Sequence, residues 1–505
     1  VWGAIRALLV LVLFALPACL EEPATPSRTP AADEGNAVDH PRPEVILLVS
    51  IDTLRADHLG AYGHERFTSP VLDGLAAEGA LFLDASSTAP WTLPAHASML
   101  TGLTPRSHGA VTASAGLTEG TRTLAGLLGD AGWHTAAVVN STWLKRESFG
   151  ATREFEDYEW VAEIGTKRTP TTWVTDRAIE WLRDRGDRPL FVFAHYYDVH
   201  SDYASLPEYE RLFVTPYEGD ADGTAWQLLR ANIEPAYIEH CRDDFDPEVC
   251  TLGHVGNTLV VDGNTERKRF DADDLRHLQE LYDAGIRQLD TELGRLIGFL
   301  REQELLDRTL LVVTSDHGEE FGEHGRMDHY LTQYQEVLHV PLIVRGPGVP
   351  AGVRIGTPVS IVDIAPTLLA QAGISPPAAM EGHDLSPLWR GEPAEAAAER
   401  FIYGQASGGL GWTPVIEGIF PIFESVRQGR FKLVHEINTD DYALYDLERD
   451  PGERVDVADA APEIARRLRT ELERVRAADE APTGREVELH PEELERLRAL
   501  GYTLP

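Results

Sequence analysis

The chain has 505 residues, 43% hydrophobic and 25% charged, which is enough for a large α/β core with a smaller appended unit. A formal net charge of −37 excludes the basic footprint of a nucleic-acid binder and a polybasic membrane patch. Such an acidic surface serves solubility and repels anionic polymers.

The first elements read as targeting sequence. Arg6, the apolar run Ala7–Leu16 and the small residues before Cys19 predict a signal peptide over residues 1–18, too short to span a bilayer. Leu16-Pro17-Ala18-Cys19 resembles the bacterial lipoprotein box, which implies a lipid on Cys19. With Leu20 following, it also implies an exported lipoprotein on the periplasmic side of the outer membrane or at the cell surface. A plain signal peptide with an incidental cysteine is the alternative. Residues 19–44, rich in Pro, Ala, Thr and charge, read as a lipid-anchored flexible linker.

From Val45 the pattern alternates strands and helices. Strands are expected at 45–51, from 81, and at 134–139, 190–195, 310–314 and 340–344. Helices are expected at 70–79, 123–132, 171–185, 273–302 and 363–373. This alternation predicts a mainly parallel central sheet covered on both faces, with ligands at the carboxyl ends of the strands. Residues 203–269 hold little periodicity and read as an insertion over the site, within a main domain of residues 45–395. Cys241 and Cys250 lie close together in an exported chain, which favours a disulfide; free thiols or half a metal site are the alternatives. From residue 396 to 480 short strands at 401–403, 424–427, 431–434 and 443–445 precede a helix at 462–476 and form a small α+β subdomain. Residues 481–505 read as a tail with a short helix.

The chemistry-bearing motifs sit at strand ends. Asp52 closes VILLVSID, Asp316 and His317 stand in TSDHG, and Thr92 stands in APWTLPAHASMLTG. A buried Asp–His pair at a strand end requires charge compensation, which a divalent ion supplies. Two carboxylates with an imidazole suit manganese or zinc better than calcium or magnesium. Metal coordination activates a hydroxyl nucleophile, and a helix starting near Pro94 aims N–H groups at an anion.

From about Val45 onward the chain resembles the sulfatase family of the alkaline phosphatase superfamily, an alkaline-phosphatase-like three-layer α/β/α fold. The resemblance rests on Asp52, on Thr92-Leu93-Pro94-Ala95-His96 with Leu100-Thr101-Gly102, on Asp316-His317, and on ESVRQGRFKLV…ALYDLERDPGE in the C-terminal subdomain. It implies an anionic ester as substrate and one divalent ion on Asp52, Asp316, His317 and Thr92. It implies Thr92 as nucleophile, His200 of HYYDVH as proton donor to the leaving group, and His329 at the oxyanion in place of the family's Lys. His324 is a weaker candidate for that place. His96 replaces the family's Arg, Asn140 falls near its pocket Lys, and His195 is structural or substrate-facing; these three are expected around the substrate, and Lys145 is expected in solvent. Thr is a secondary alcohol and yields no formylglycine, so a phosphoester is the expected substrate. The alternatives are a sulfuric ester hydrolase, a head-group transferase of the cell envelope and a non-catalytic binding protein. Oligomeric state is not legible.

Overall fold

In a computed structural model the described residues are 42–487, except 113, 147, 162–169, 247–249, 255–256, 393–398, 407–421 and 478–483. The expected signal peptide, most of the linker and the expected C-terminal tail helix lie outside them. Nine strands form the main sheet: β1 (Val45–Ile51), β2 (Ala80–Ser86), β3 (His134–Val139), β4 (Asp157–Trp160), β5 (Leu190–Tyr196), β6 (Thr309–Ser315), β7 (His339–Arg345), β8 (Val353–Ile355) and β9 (Val359–Ser360). Their order is β8-β2-β7-β6-β1-β5-β3-β4, with β9 beside β2. The run β6-β1-β5-β3-β4 is parallel throughout, and β7 alone runs against its neighbours.

Every residue of β1, β5 and β6 is buried, as a parallel sheet with two covered faces requires. Alternation then sorts the side chains. Ile46, Leu48, Phe191 and Phe193 pack with Leu93, Ala97, Leu124 and Leu368 on one face. Val45, Leu47, Val49 and Val192 pack with Leu72, Val174, Leu278 and Leu289 on the other. Helices Thr92–Thr101, Leu124–Asp130 and Ile364–Gln371 therefore cover the first face, and Pro70–Ala77, Pro170–Arg183 and Ala272–Glu302 the second. The long helix Ala272–Glu302 opens with a capping box between Asp271 and Asp274.

The aperiodic stretch after Tyr203 contains helices Pro207–Phe213, Ala225–Asn232 and Pro235–Asp243 and a hairpin, Thr251–His254 with Asn257–Val260. The helices have seven to nine residues and the strands four, too short for a period to register. Cys241 and Cys250 form a disulfide there. Downstream, strands Phe401–Gln405, Phe423–Gln428, Phe431–Glu436 and Asp441–Asp446 form an antiparallel sheet. Helix Pro462–Ala477 covers it through Leu468 and Leu472, packed on Val426, Leu433 and Leu444. Among the described residues no helix is long and apolar enough to cross a membrane.

Candidate active site

The centre of the parallel run carries the site. Register places Ile51 beside both Ser315 and Tyr196, so Asp52 and Asp316 emerge side by side at the carboxyl ends of β1 and β6. Thr53 follows with φ 58, a left-handed conformation costly for a β-branched residue. Tyr282 holds that turn: its hydroxyl donates to Thr53 O at 2.7 Å and accepts from Arg55 N at 2.9 Å. Beyond β6, Gly318 is required by a close approach, since a Cβ there would meet Glu336 O at 2.1 Å.

Asp52, Asp316 and His317 are wholly buried and present ligand atoms within 4.8 Å of one another. His317 Nδ1–H donates to Gly318 O at 3.0 Å, which leaves Nε2 as a lone pair. That lone pair faces Asp52 Oδ1 at 3.6 Å and Asp316 Oδ2 at 3.4 Å. Among the described residues none of these three atoms has a hydrogen-bond partner. Burial and then the neighbouring Asp52 push Asp316 well above the usual carboxylate range. Burial and then His329 hold His317 well below the usual imidazole range. Two carboxylates and an imidazole lone pair turned on one another are costly to bury, a cation between them would offset that cost, and the donor set fits a divalent ion.

Thr92 opens the helix Thr92–Thr101, and its Oγ1 donates to Asp52 Oδ2 at 3.4 Å. The helix ends at Gly102, whose φ of 68 suits glycine. His96, expected at the substrate, instead faces inward: Nδ1–H donates to Thr92 O at 2.9 Å, and Nε2 accepts from Ser50 Oγ at 2.8 Å. Burial, then His195, lower its pKa to about 3, so it is neutral where the family has a cation. His195 Nδ1 accepts from Asn140 N at 3.4 Å, which directs Nε2–H toward Asp52 Oδ2, also 3.4 Å away. Asn140 thus meets His195 through its backbone, while among the described residues its buried Oδ1 has no hydrogen-bond partner. Lys145, expected in solvent, lies over the Trp160 ring at 4.8 Å.

Three imidazoles continue the site outward. The His329 ring lies 4.5 Å from that of His317 and 4.8 Å from that of His200. His329 Nδ1 lies 2.7 Å from Asp328 Oδ1 and 3.0 Å from Glu319 Oε1. Burial alone lowers its pKa, but these carboxylates outweigh it and raise it to about 10. The two carboxylates therefore favour its cationic form. His200 Nδ1–H donates to Ser201 O at 2.6 Å, and its ring stacks on Tyr197 at 4.2 Å. His324 lies elsewhere, stacked on Tyr334 at 3.6 Å and bonded to Glu336 at 2.5 Å. Glu319, Asp328, Tyr282 and Ser50 were not singled out in the sequence; Glu319 alone left a trace, as the acid two residues past His317.

A model of the sulfatase domain matches residues 44–374, so most of this architecture and both carboxylates lie inside it. The chain belongs to the sulfatase family. A second model, described as the N-sulphoglucosamine sulphohydrolase C-terminal region, matches residues 322–478. Arylsulfatase K of Mus musculus is 25% identical over 493 residues, covering 92% of this chain and 84% of that protein. Among solved structures, a protein in complex with its substrate D-glucosamine-2-N,6-O-disulfate superposes with a TM-score of 0.68 at 22% identity, covering 86% of this chain and 98% of that one. The phosphonate monoester hydrolase of Silicibacter pomeroyi superposes with a TM-score of 0.64 at 21% identity, covering 87% and 96%. This sulfatase-family chain is a hydrolase of sulfuric or phosphoric esters, with the alkaline-phosphatase-like α/β/α fold and groups suited to the family's metal dependence.

Proposed function

We propose that this sulfatase-family protein is a metal-dependent ester hydrolase that uses the unmodified hydroxyl of Thr92 as nucleophile and prefers phosphoesters. The observation that carries the reading is the approach of Thr92 Oγ1 to Asp52 at the head of a helix, beside the facing ligand atoms of Asp52, Asp316 and His317. Asp52, Asp316, His317 and Thr92 would hold a divalent ion, manganese or zinc in preference to calcium or magnesium, which would supply positive charge to activate the hydroxyl and polarise the ester.

The chain's own residues do the rest. Thr92 Oγ1 passes its proton to Asp52 Oδ2, the acceptor of its hydrogen bond, and attacks phosphorus or sulfur in line as the bond to the leaving oxygen breaks, with the positive end of its helix at the attacked anion. His329, cationic between Glu319 and Asp328, directs Nε2 toward the charge that develops on the ester. His200 protonates the leaving oxygen. His96 and His195 orient Thr92 and Asp52 from beneath. No aldehyde forms from a secondary alcohol, so water must displace the covalent ester directly, a step easier for phosphate than for sulfate.

The decisive experiment is a screen of purified protein against aryl sulfates, phosphomonoesters, phosphodiesters and phosphonate monoesters across several divalent metals. Phosphorus esters are expected to turn over faster. The second reading, a sulfuric ester hydrolase, is favoured by the family model and by the structural neighbour bound to a disulfated glucosamine. Faster hydrolysis of sulfate esters would establish it. Transfer to a lipid or glycan acceptor without hydrolysis would mark a transferase, and binding without turnover a recognition protein. We further propose lipid anchoring through Cys19 at the periplasmic side of the outer membrane or at the cell surface. Cys19→Ala should abolish lipid mass and membrane fractionation, and an unacylated wild-type protein would refute the anchor.

A further inference from the structure

The C-terminal motif FKLV…DPGE holds a fully buried ion pair that the proposed chemistry does not use. Lys432 is 2% exposed, and its Nζ lies 2.9 Å from Glu453 Oε1. Replacing a buried ion pair with apolar residues is often neutral or stabilising, so stability alone gives a weak account of this one. Its other contacts all lead to one segment. Lys432 Nζ donates to Gln333 O, Glu453 Oε2 accepts from Gln335 N at 2.6 Å, and Glu453 O accepts from His324 Nε2 at 3.2 Å. Ser425 Oγ adds a bond to Gln333 Oε1 at 3.1 Å. Gly404 makes room for that side chain, since a Cβ there would meet Gln333 Oε1 at 2.1 Å.

The segment held in this way carries His329. On either side of it Asp328 and Tyr330 adopt left-handed backbone, with φ of 68 and 91. Non-glycine residues in that region cost free energy and persist where the surroundings over-determine them. One tether is Tyr330 N to Pro90 O at 2.9 Å, beside the nucleophile's helix. Asn232 holds Met327 ahead of His329 through two hydrogen bonds, and Gln333 and Gln335 after it are clamped from the C-terminal sheet.

We infer that Lys432, with Glu453, is a positioning residue: it fixes the loop that presents His329 to the ester, so the C-terminal subdomain is part of the catalytic apparatus. The inference rests on the role proposed for His329. It predicts a loss in kcat larger than the change in KM, because the geometry at the developing charge is displaced while the metal ligands stay in place.

The test compares Lys432→Met, Glu453→Gln and the double variant in the full-length protein. Lys432→Met should lower kcat at least about tenfold with KM within about threefold and metal content unchanged. The double variant removes both charges, so its melting temperature should recover toward wild type while kcat stays low. Hydrogen exchange, which needs no substrate, should rise across Glu319–Gln335 in all three and stay unchanged in Thr309–Ser315. Unchanged exchange in that loop would overturn the inference, as would recovery of kcat together with stability in the double variant. Failure of the proposed chemistry shows separately, as turnover that survives removal of the Thr92 hydroxyl.

Discussion

Replacing Thr92 by Ala tests the chemistry because the structure makes its folding cost small. The side chain is 1% exposed and occupies the first helical position; the capping residue is Trp91. Deleting one buried methyl group costs about 0.8 kcal/mol. The hydroxyl makes one long hydrogen bond, 3.4 Å to Asp52, whose loss costs about 1 kcal/mol at most. The sum, about 2 kcal/mol, leaves a domain with about 5–15 kcal/mol of stability folded. Removing an attacking atom is far more costly: a loss of about 10⁴-fold or more in kcat/KM corresponds to about 5.5 kcal/mol. The assay is kcat/KM on the best ester, with circular dichroism for the fold and elemental analysis for the metal. Thr92→Ser keeps the hydroxyl and should remain within about tenfold of wild type. A folded Thr92→Ala protein that retained more than about one-tenth of wild-type kcat/KM would refute the reasoning.

Asp316→Ala should lose the divalent ion, because it deletes one of three facing acceptors; full occupancy by elemental analysis would move the metal elsewhere. Asp283 accepts from His58 at 2.7 Å and from Arg66 at 3.0 Å. Burial raises its pKa, but the bonds from His58 and His64 outweigh this and hold it at about 2. A depressed carboxylate stabilises the fold above its unfolded pKa and stops doing so as pH falls through its folded one. Asp283→Asn should therefore cost about 2 kcal/mol at pH 6, shrinking toward zero near pH 2, in urea denaturation against wild type. A pH-independent difference would contradict this. Cys241→Ser with Cys250→Ser opens a loop of sequence separation 9 and should destabilise by about 2–3 kcal/mol, with faster exchange confined to the insertion.

The centre of the main sheet was legible because its strands are continuous apolar runs, and Asp52, Asp316 and His317 follow two of those runs directly, which places them at strand ends. The short strand Asp157–Trp160 was missed: its four residues alternate too briefly, and none is fully buried. The helices after Tyr203 failed to register for the same reason. Within the site, the sequence indicated residue types but not the tautomers or partners that decide their roles. His96 was read against an arginine, yet Ser50 and the Thr92 carbonyl occupy both of its nitrogens. His329 could be matched to the family's Lys, but its carboxylate partners could not be named: Glu319 lies ten residues away in the chain, and the hairpin of Glu320–Phe321 with Met327–Asp328 brings it to the ring together with Asp328.

The position of β1 between β5 and β6 also governs the order in which the chain acquires its shape. Its first partner, β5, ends at Tyr196, whereas β6 begins at Thr309, and Ile51 meets Ser315 only across 264 residues of sequence. At about 5–20 residues per second the intervening stretch of roughly 110 residues takes about 5–20 s to synthesise. Throughout that interval the segment VILLVSI, free of charge and proline, presents an open edge that invites pairing with other chains. Nascent protein truncated before Thr309 should therefore aggregate or bind a holdase chaperone, whereas chains extended past Arg345 should not. Asp52 and Asp316 stand at the carboxyl ends of β1 and β6, so the two carboxylates come together only once synthesis has passed Asp316.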